Sequence, residues 1–218
     1  VTIQALLDPG DEVLLPSPFW PLIRGVISSR GAVPVEIPFY DLLADDAFDP
    51  EAALERAITP RTTAIYLNSP HNPTGVVLSN ELVTAIARVA ERHDLWVLTD
   101  EVYEDLWYGQ ERPAPLWTRA DLAPRTIAVH SLSKGYGLAG ARVGYVHGPE
   151  EAMRAVRAVQ TFQAYCASRP MQLAAARALD LGDQWLAETR DMYRDAMTMS
   201  ARALGLDETA GGTFLFFD

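Results

Sequence analysis

Between two apolar runs, residues 127–129 and 143–146, the chain reads Ser131-Leu132-Ser133-Lys134-Gly135-Tyr136-Gly137-Leu138-Ala139-Gly140-Ala141-Arg142. A lysine delivered by the end of a strand can be desolvated into a usable amine nucleophile. Glycines let the backbone approach a ligand closely, and an arginine with hydroxyls suits a phosphate. The stretch therefore has the chemistry to hold a phosphorylated cofactor covalently on Lys134.

Two further stretches follow short apolar runs. Residues 64–67 lead into Asn68-Ser69-Pro70-His71-Asn72-Pro73-Thr74-Gly75, where prolines fix a loop and can aim an Asn amide as a hydrogen-bond donor. The plainer reading of such a loop is an ordinary turn. Residues 96–98 lead into Thr99 and Asp100, with Tyr103 three positions on. A carboxylate at a buried strand end pairs with a cation or caps a helix. Glu101 is the rival acid, but Asp100 leaves the strand first. A ring nitrogen kept protonated by a buried carboxylate is a requirement of pyridoxal chemistry.

The elements that must position these residues follow from the hydrophobic pattern. Short continuous apolar runs, each a candidate buried strand, alternate with segments of helical periodicity. That pattern predicts an α/β fold, a mostly parallel sheet covered by helices on both faces. Ligands of such sheets bind beyond the carboxyl ends of the strands. The link from Lys134 to Arg142 is too short for a crossover helix, so the strand starting at Val143 is antiparallel to its predecessor or not adjacent to it. Pro16 is expected to end the first strand, Asn80 to cap a helix and residues 213–217 to form a closing strand. A stripe through Trp185, Thr189, Met192, Ala196 and Met199 predicts a long helix with the two methionines in the core. A boundary near Gly182 divides residues 1–181, a ligand-binding large domain, from 182–218, the start of a smaller α+β domain.

Composition narrows the partners. A net charge of −11 argues against nucleic acid and anionic membrane surfaces, which select clustered Lys and Arg. No apolar run approaches the roughly 20 residues needed to cross a bilayer. One cysteine, Cys166, excludes an internal disulfide and reads as a small buried hydrophobe. The four histidines lack the spacing of a zinc site, so no metal is expected; His71, inside a loaded loop, is read as structural or as a support for that loop.

Taken together, these stretches resemble the class I/II aminotransferases, pyridoxal 5'-phosphate enzymes of fold type I. Ser-Leu-Ser-Lys-x-x-Gly-Leu-x-Gly-x-Arg-Val-Gly is similar to the family's cofactor-lysine signature, and Asn-Pro-Thr-Gly and Asp-Glu-Val-Tyr to two other large-domain motifs, in the same order. The resemblance covers essentially the whole chain. It implies an aminotransferase that moves an amino group between an amino acid and a 2-oxo acid through a Lys134 Schiff base. Lys134 would then shuttle the proton and Asp100 would pair with the pyridinium nitrogen. Asn72 and Tyr103 would bond the ring's phenolic oxygen, Ser131, Ser133 and Arg142 would bind the phosphate, and Trp20 would stack on the ring. It also implies a homodimer, and a cytoplasmic location is expected. A carbon–sulfur lyase or cyclase on the same fold, or the sensor half of a transcription regulator, are the alternative readings. The chain opens in what reads as mid-helix and reads as a fragment, without the upstream phosphate-binding turn and most of the small domain.

Overall fold

The structure is a computed structural model and describes residues 1–112 and 114–217. Six strands make one sheet: β1 (Glu12–Ser17), β2 (Val33–Pro38), β3 (Thr62–Asn68), β4 (Trp96–Asp100), β5 (Thr126–Ser131) and β6 (Gly144–His147). Their order is β2-β1-β3-β4-β5-β6. The first five run parallel, and β6 lies antiparallel beside β5 with Ser131 opposite Gly144. The short link across Lys134 thus forms a tight return between neighbours, one of the two arrangements its length allows.

Because successive strand residues point to opposite faces, the apolar runs supply two cores. On one face Val13, Leu15, Ala64, Tyr66, Leu98 and Ile127 cluster with residues of α1 (Thr2–Leu6), α2 (Leu22–Ser28) and α5 (Glu150–Gln163). On the other, Leu14, Ile65, Leu67 and Val97 pack with α3 (Pro50–Ala57) and α4 (Asn80–Arg92). Both faces are covered, which is why these strands read as continuous apolar runs.

Local chemistry sets the helix starts. Asp49 Oδ1 accepts from the Ala52 amide at 3.0 Å, with Pro50 beginning α3. The cap of α4 is Ser79, not Asn80. Ser79 is extended, and its hydroxyl accepts from the Leu82 amide at 3.2 Å, while Asn80 is already helical. Pro16 does not end β1 either. Carbonyls of Asp11 and Ser17 bond toward β2, so the missing N–H of Pro16 faces the β3 side, where pairing has already stopped at Leu14.

Two expectations at the C-terminal end are corrected. α6 (Arg169–Leu181) leads into α7 (Asp183–Leu204), but Met192 and Met199 are 61% and 72% exposed and are not core. The face of α7 turned inward carries Leu186, Thr189, Tyr193, Met197 and Ala201 instead. The helix has apolar residues on both sides, and periodicity alone does not say which side packs inward. Residues 213–217 form no strand. Pairing here is limited to a bridge between Gly211 and Trp107, with the Tyr108 amide donating to the Ala210 carbonyl and the Gly212 amide to that of Leu106. A loop, not a sheet edge, receives this segment.

Candidate active site

Parallel pairing brings the carboxyl ends of β3, β4 and β5 into register, Asn68 opposite Asp100 and Asp100 opposite Val129. Asn68 is buried and works in two directions. Its Nδ2 donates to the Asp100 carbonyl at 2.7 Å, and its Oδ1 accepts from the Asn72 amide at 2.7 Å. The loop bearing Asn72 is thereby tied to the strand bearing Asp100. His71 fixes the same loop from behind. Its ring stacks on Tyr40 with centroids 3.5 Å apart, Nδ1 lies 2.7 Å from the Thr74 hydroxyl, and it bonds the Pro18 carbonyl. Burial pushes the imidazole down to about 3, so His71 is a neutral support for the loop.

Asp100 faces the layer of α1 and α2. Its Oδ2 accepts from the Tyr66 hydroxyl at 2.7 Å and its Oδ1 from the Val102 amide at 3.3 Å. Burial pushes this carboxyl up, while the Tyr66 and Val102 bonds and the charge of His130 oppose the rise. The carboxylate borders a cavity of about 220 Å³ that Trp20, Tyr66, Leu98 and Val129 also line. Glu101 points elsewhere: it is 3% exposed, accepts from the Thr99 hydroxyl at 3.2 Å and lies beside Glu104 and His130. Of the two acids, only Asp100 lines this cavity.

Lys134 occupies the turn after β5, with Nζ 5.5 Å from the centroid of the buried Tyr103 ring. It is exposed, not desolvated as expected, because the turn packs through its neighbours Leu132 and Gly135. Gly135 is held by the Trp185 indole, which donates to its carbonyl at 2.9 Å. A Cβ there would meet the Asp105 carboxylate at 2.7 Å and a Leu186 methyl at 2.9 Å, so a larger residue would force those side chains to shift. The Ser131 hydroxyl accepts from the Ser133 amide at 3.1 Å and closes the turn. Arg142 sits at φ 53°, donates to the Ala139 carbonyl at 2.9 Å and is exposed. It lines a groove of about 1170 Å³ that shares Val1, Thr2 and Val129 with the smaller cavity. Cys166 is exposed on that groove's wall, not buried, because the link between α5 and α6 runs over the surface. Among the described residues neither Lys134 nor Arg142 has a carboxylate partner within 4.0 Å, although the chain carries a net charge of −11.

The family model for aminotransferase class I and II matches residues 1–212. The chain belongs to the class I and II aminotransferases. It is 41% identical over 192 residues to a probable N-succinyldiaminopimelate aminotransferase of Mycobacterium tuberculosis, covering 88% of this chain and 48% of the relative. An aspartate/prephenate aminotransferase of Thermus thermophilus is 37% identical over 212 residues, covering 93% and 53%. The solved structure of the Mycobacterium tuberculosis N-succinyldiaminopimelate aminotransferase superposes with a TM-score of 0.89 at 39% identity, over 98% of this chain and 57% of that one. The chain thus spans about half the length of the curated relatives it matches, and its fold is that of the fold type I aminotransferases.

Within this chain, Trp20, Asn72, Tyr103 and Lys134 follow the carboxyl ends of β1, β3, β4 and β5 and Asp100 ends β4; Trp20 shares a cavity with Asp100 and Lys134 approaches Tyr103, while Ser131, Ser133 and Arg142 lie along the β5–β6 return. Tyr103 is fixed from the C-terminal side: its ring meets Phe214 edge-on at 5.3 Å. Burial and the Asp100 charge push its hydroxyl up, and a hydrogen bond from Thr213 opposes them. Sequence reasoning missed Tyr66 and Asn68. Both lie on β3 two residues apart, so the period of the strand that delivers Asn68 beside Asp100 also delivers Tyr66 to the same face. It also overlooked that Lys134 is the only lysine in the chain, the other seventeen basic side chains being arginine. An arginine cannot deprotonate to act as a nucleophile.

On the opposite face Glu101, Glu104 and His130 bring ligand-type atoms within 4.8 Å of one another, but each already has a protein partner. His130 Nδ1 lies 2.6 Å from Glu104, its Nε2 lies 3.0 Å from His147 Nε2, and Glu101 accepts from Thr99. Burial, with Glu104 adding to it, pushes the Glu101 carboxyl from 4.5 up to about 7. The folded state therefore binds an extra proton between those values. Its stabilising effect is complete below pH 4.5 and is lost as pH rises through 7. Glu101→Gln should escape that loss. Denaturant unfolding at pH 5 and pH 8 should show the variant gaining roughly 2 to 3 kcal/mol on the wild type over that interval; parallel curves would contradict it.

Proposed function

We propose that this chain is the cofactor-binding part of a pyridoxal 5'-phosphate-dependent aminotransferase acting on an amino acid and a 2-oxo acid. The observation that carries the reading is one juxtaposition: a buried carboxylate, Asp100, on an aromatic-lined cavity, beside a strand return whose two cations have no acid partner within 4.0 Å among the described residues. An anionic, aromatic, aldehyde-bearing group would answer all three features. The residues fit it in kind and in number.

Lys134 would carry the group covalently and, once released, its amine would move the proton at the substrate Cα. Asp100 would hold the ring nitrogen protonated, Asn72 and Tyr103 would bond the phenolic oxygen, and Trp20 would lie against the ring. Arg142, Ser131 and Ser133 would bind the phosphate. Bound there, the cofactor would supply the electron sink that makes the Cα proton removable. Exposure of Lys134 and Arg142 fits a site finished by parts of the protein outside these residues, and a homodimer is proposed on the family resemblance. The division into a large domain, 1–181, and the start of a smaller one, 182–218, is proposed on the break at Gly182; a cytoplasmic location is proposed on the family resemblance. No helix among the described residues is long and apolar enough to cross a membrane.

Borohydride reduction of the full-length protein after incubation with pyridoxal 5'-phosphate should leave one covalent adduct on the peptide bearing Lys134. Mass spectrometry reads it directly, and the absence of other lysines from residues 1–218 leaves no second acceptor side chain in this region. Adduct elsewhere, or none, would refute the assignment. Incubation with an amino acid alone, followed by assay for ammonia, would separate a lyase from an aminotransferase.

A further inference from the structure

Resting on that reading of the site, we infer that Tyr66 is a positioning residue for the ring-nitrogen partner: its hydroxyl holds the Asp100 carboxylate in one orientation and compensates its charge. The tyrosine is 8% exposed, and its ring belongs to the apolar cluster that includes Leu15 and Leu98. A buried hydroxyl needs a partner, and this one is spent on Asp100 Oδ2 at 2.7 Å. The remaining hydrogen bond to the carboxylate, from the Val102 amide at 3.3 Å, is longer. Tyr66 therefore supplies the shorter bond to a carboxylate that must stay charged in a poorly solvated place.

Geometry and chemistry agree on what this does. Both side chains line the same cavity as Trp20, so the carboxylate is fixed where it opens toward a ring. A donor to an ionised carboxylate favours the charged form and restricts its rotation. The titratable groups that bear on Asp100 are Tyr66, Tyr103 and His130. Tyr66 is the one whose side chain bonds it, and burial together with the Asp100 charge keeps that phenol protonated, hence a donor.

The test compares two cofactors on the full-length protein: pyridoxal 5'-phosphate and its analogue with the ring nitrogen replaced by CH. Tyr66→Phe keeps the ring in the apolar layer and removes only the donor. It should weaken pyridoxal phosphate binding about tenfold, the size of one charge-assisted hydrogen bond, and leave the carbon analogue nearly unchanged. In an Asp100→Asn background the same substitution should no longer move the ratio of the two affinities. Equal weakening of both cofactors would make Tyr66 merely structural, and no weakening of either would also overturn the inference. Carbon-13 NMR of the Asp100 side chain in cofactor-free protein gives a separate readout. Its titration should rise by about one pH unit in Tyr66→Phe. If wild type bound neither cofactor, the site reading would fall, yet this rise would still sustain the Tyr66–Asp100 pairing and its absence would sink it.

Discussion

Lys134→Ala in the full-length protein is expected to lower amino-group transfer at least about 10⁴-fold while leaving the fold in place. The substitution removes two functions at once, the covalent anchor and the base at the substrate Cα. Within residues 1–218 neither has a substitute, because no other lysine is present and the arginines stay protonated. Stability should hardly change. The side chain is exposed and makes only a cation–π approach to Tyr103 at 5.5 Å, and the turn is anchored instead by Leu132, Gly135 and the Trp185 indole. Stopped-flow measurement of one half-reaction, with circular dichroism on the same sample, checks both statements. Half-reaction rates within tenfold of wild type would remove Lys134 from the reaction.

Asp100→Asn is the second large effect, and it has opposite signs for catalysis and stability. Asparagine keeps the shape but cannot hold a ring nitrogen protonated, so turnover should fall about 10²- to 10³-fold, as when one preorganised charge partner is lost. The cofactor-free protein should become more stable. Burial raises the Asp100 carboxyl above its ordinary 3.8, so above both values the folded state carries a charge that it holds less readily than the unfolded chain does. Removing that charge relieves the cost at pH 8 and not at low pH, where the acid is already neutral. Thermal melts of wild type and Asp100→Asn at the two pH values test this. A variant less stable than wild type at pH 8 would show that the Tyr66 and Val102 bonds more than offset the burial. This is the usual tension of a site that keeps a charge where folding alone would not.

Much of the fold was legible because both sheet faces are covered. Runs such as 13–15, 64–67 and 96–98 cannot be amphipathic helices at that length, and the segments between them carry helical spacing. The short link before β6 left that strand either antiparallel to β5 or not adjacent to it, and the sheet shows the antiparallel neighbour. What misled was local. Asn80 looked like a cap, but Ser79 one position earlier is the extended residue whose hydroxyl reaches the Leu82 amide. The methionines of α7 looked like core because the helix has two apolar sides, and a one-dimensional pattern does not say which side is buried.

The same division holds at the site. The sequence by itself determined which chemistry is present: a lone lysine with hydroxyls and an arginine, an Asn in a proline-fixed loop, and an acid followed by a tyrosine. Side-chain type and short-range spacing are enough for that, because reactivity belongs to functional groups. The sequence favoured Asp100 over Glu101 as the first acid off the strand, but only the tertiary structure shows which of them borders the cavity. Asp100 and Glu101 are adjacent in the chain and chemically alike. The end of β4 turns one toward Trp20 and Tyr66 and the other toward His130. The same pairing of β3 with β4 placed the Tyr66 hydroxyl on Asp100 from 34 residues away. Register between strands is a property of the whole sheet, set by packing on both faces, and no local pattern of residues contains it.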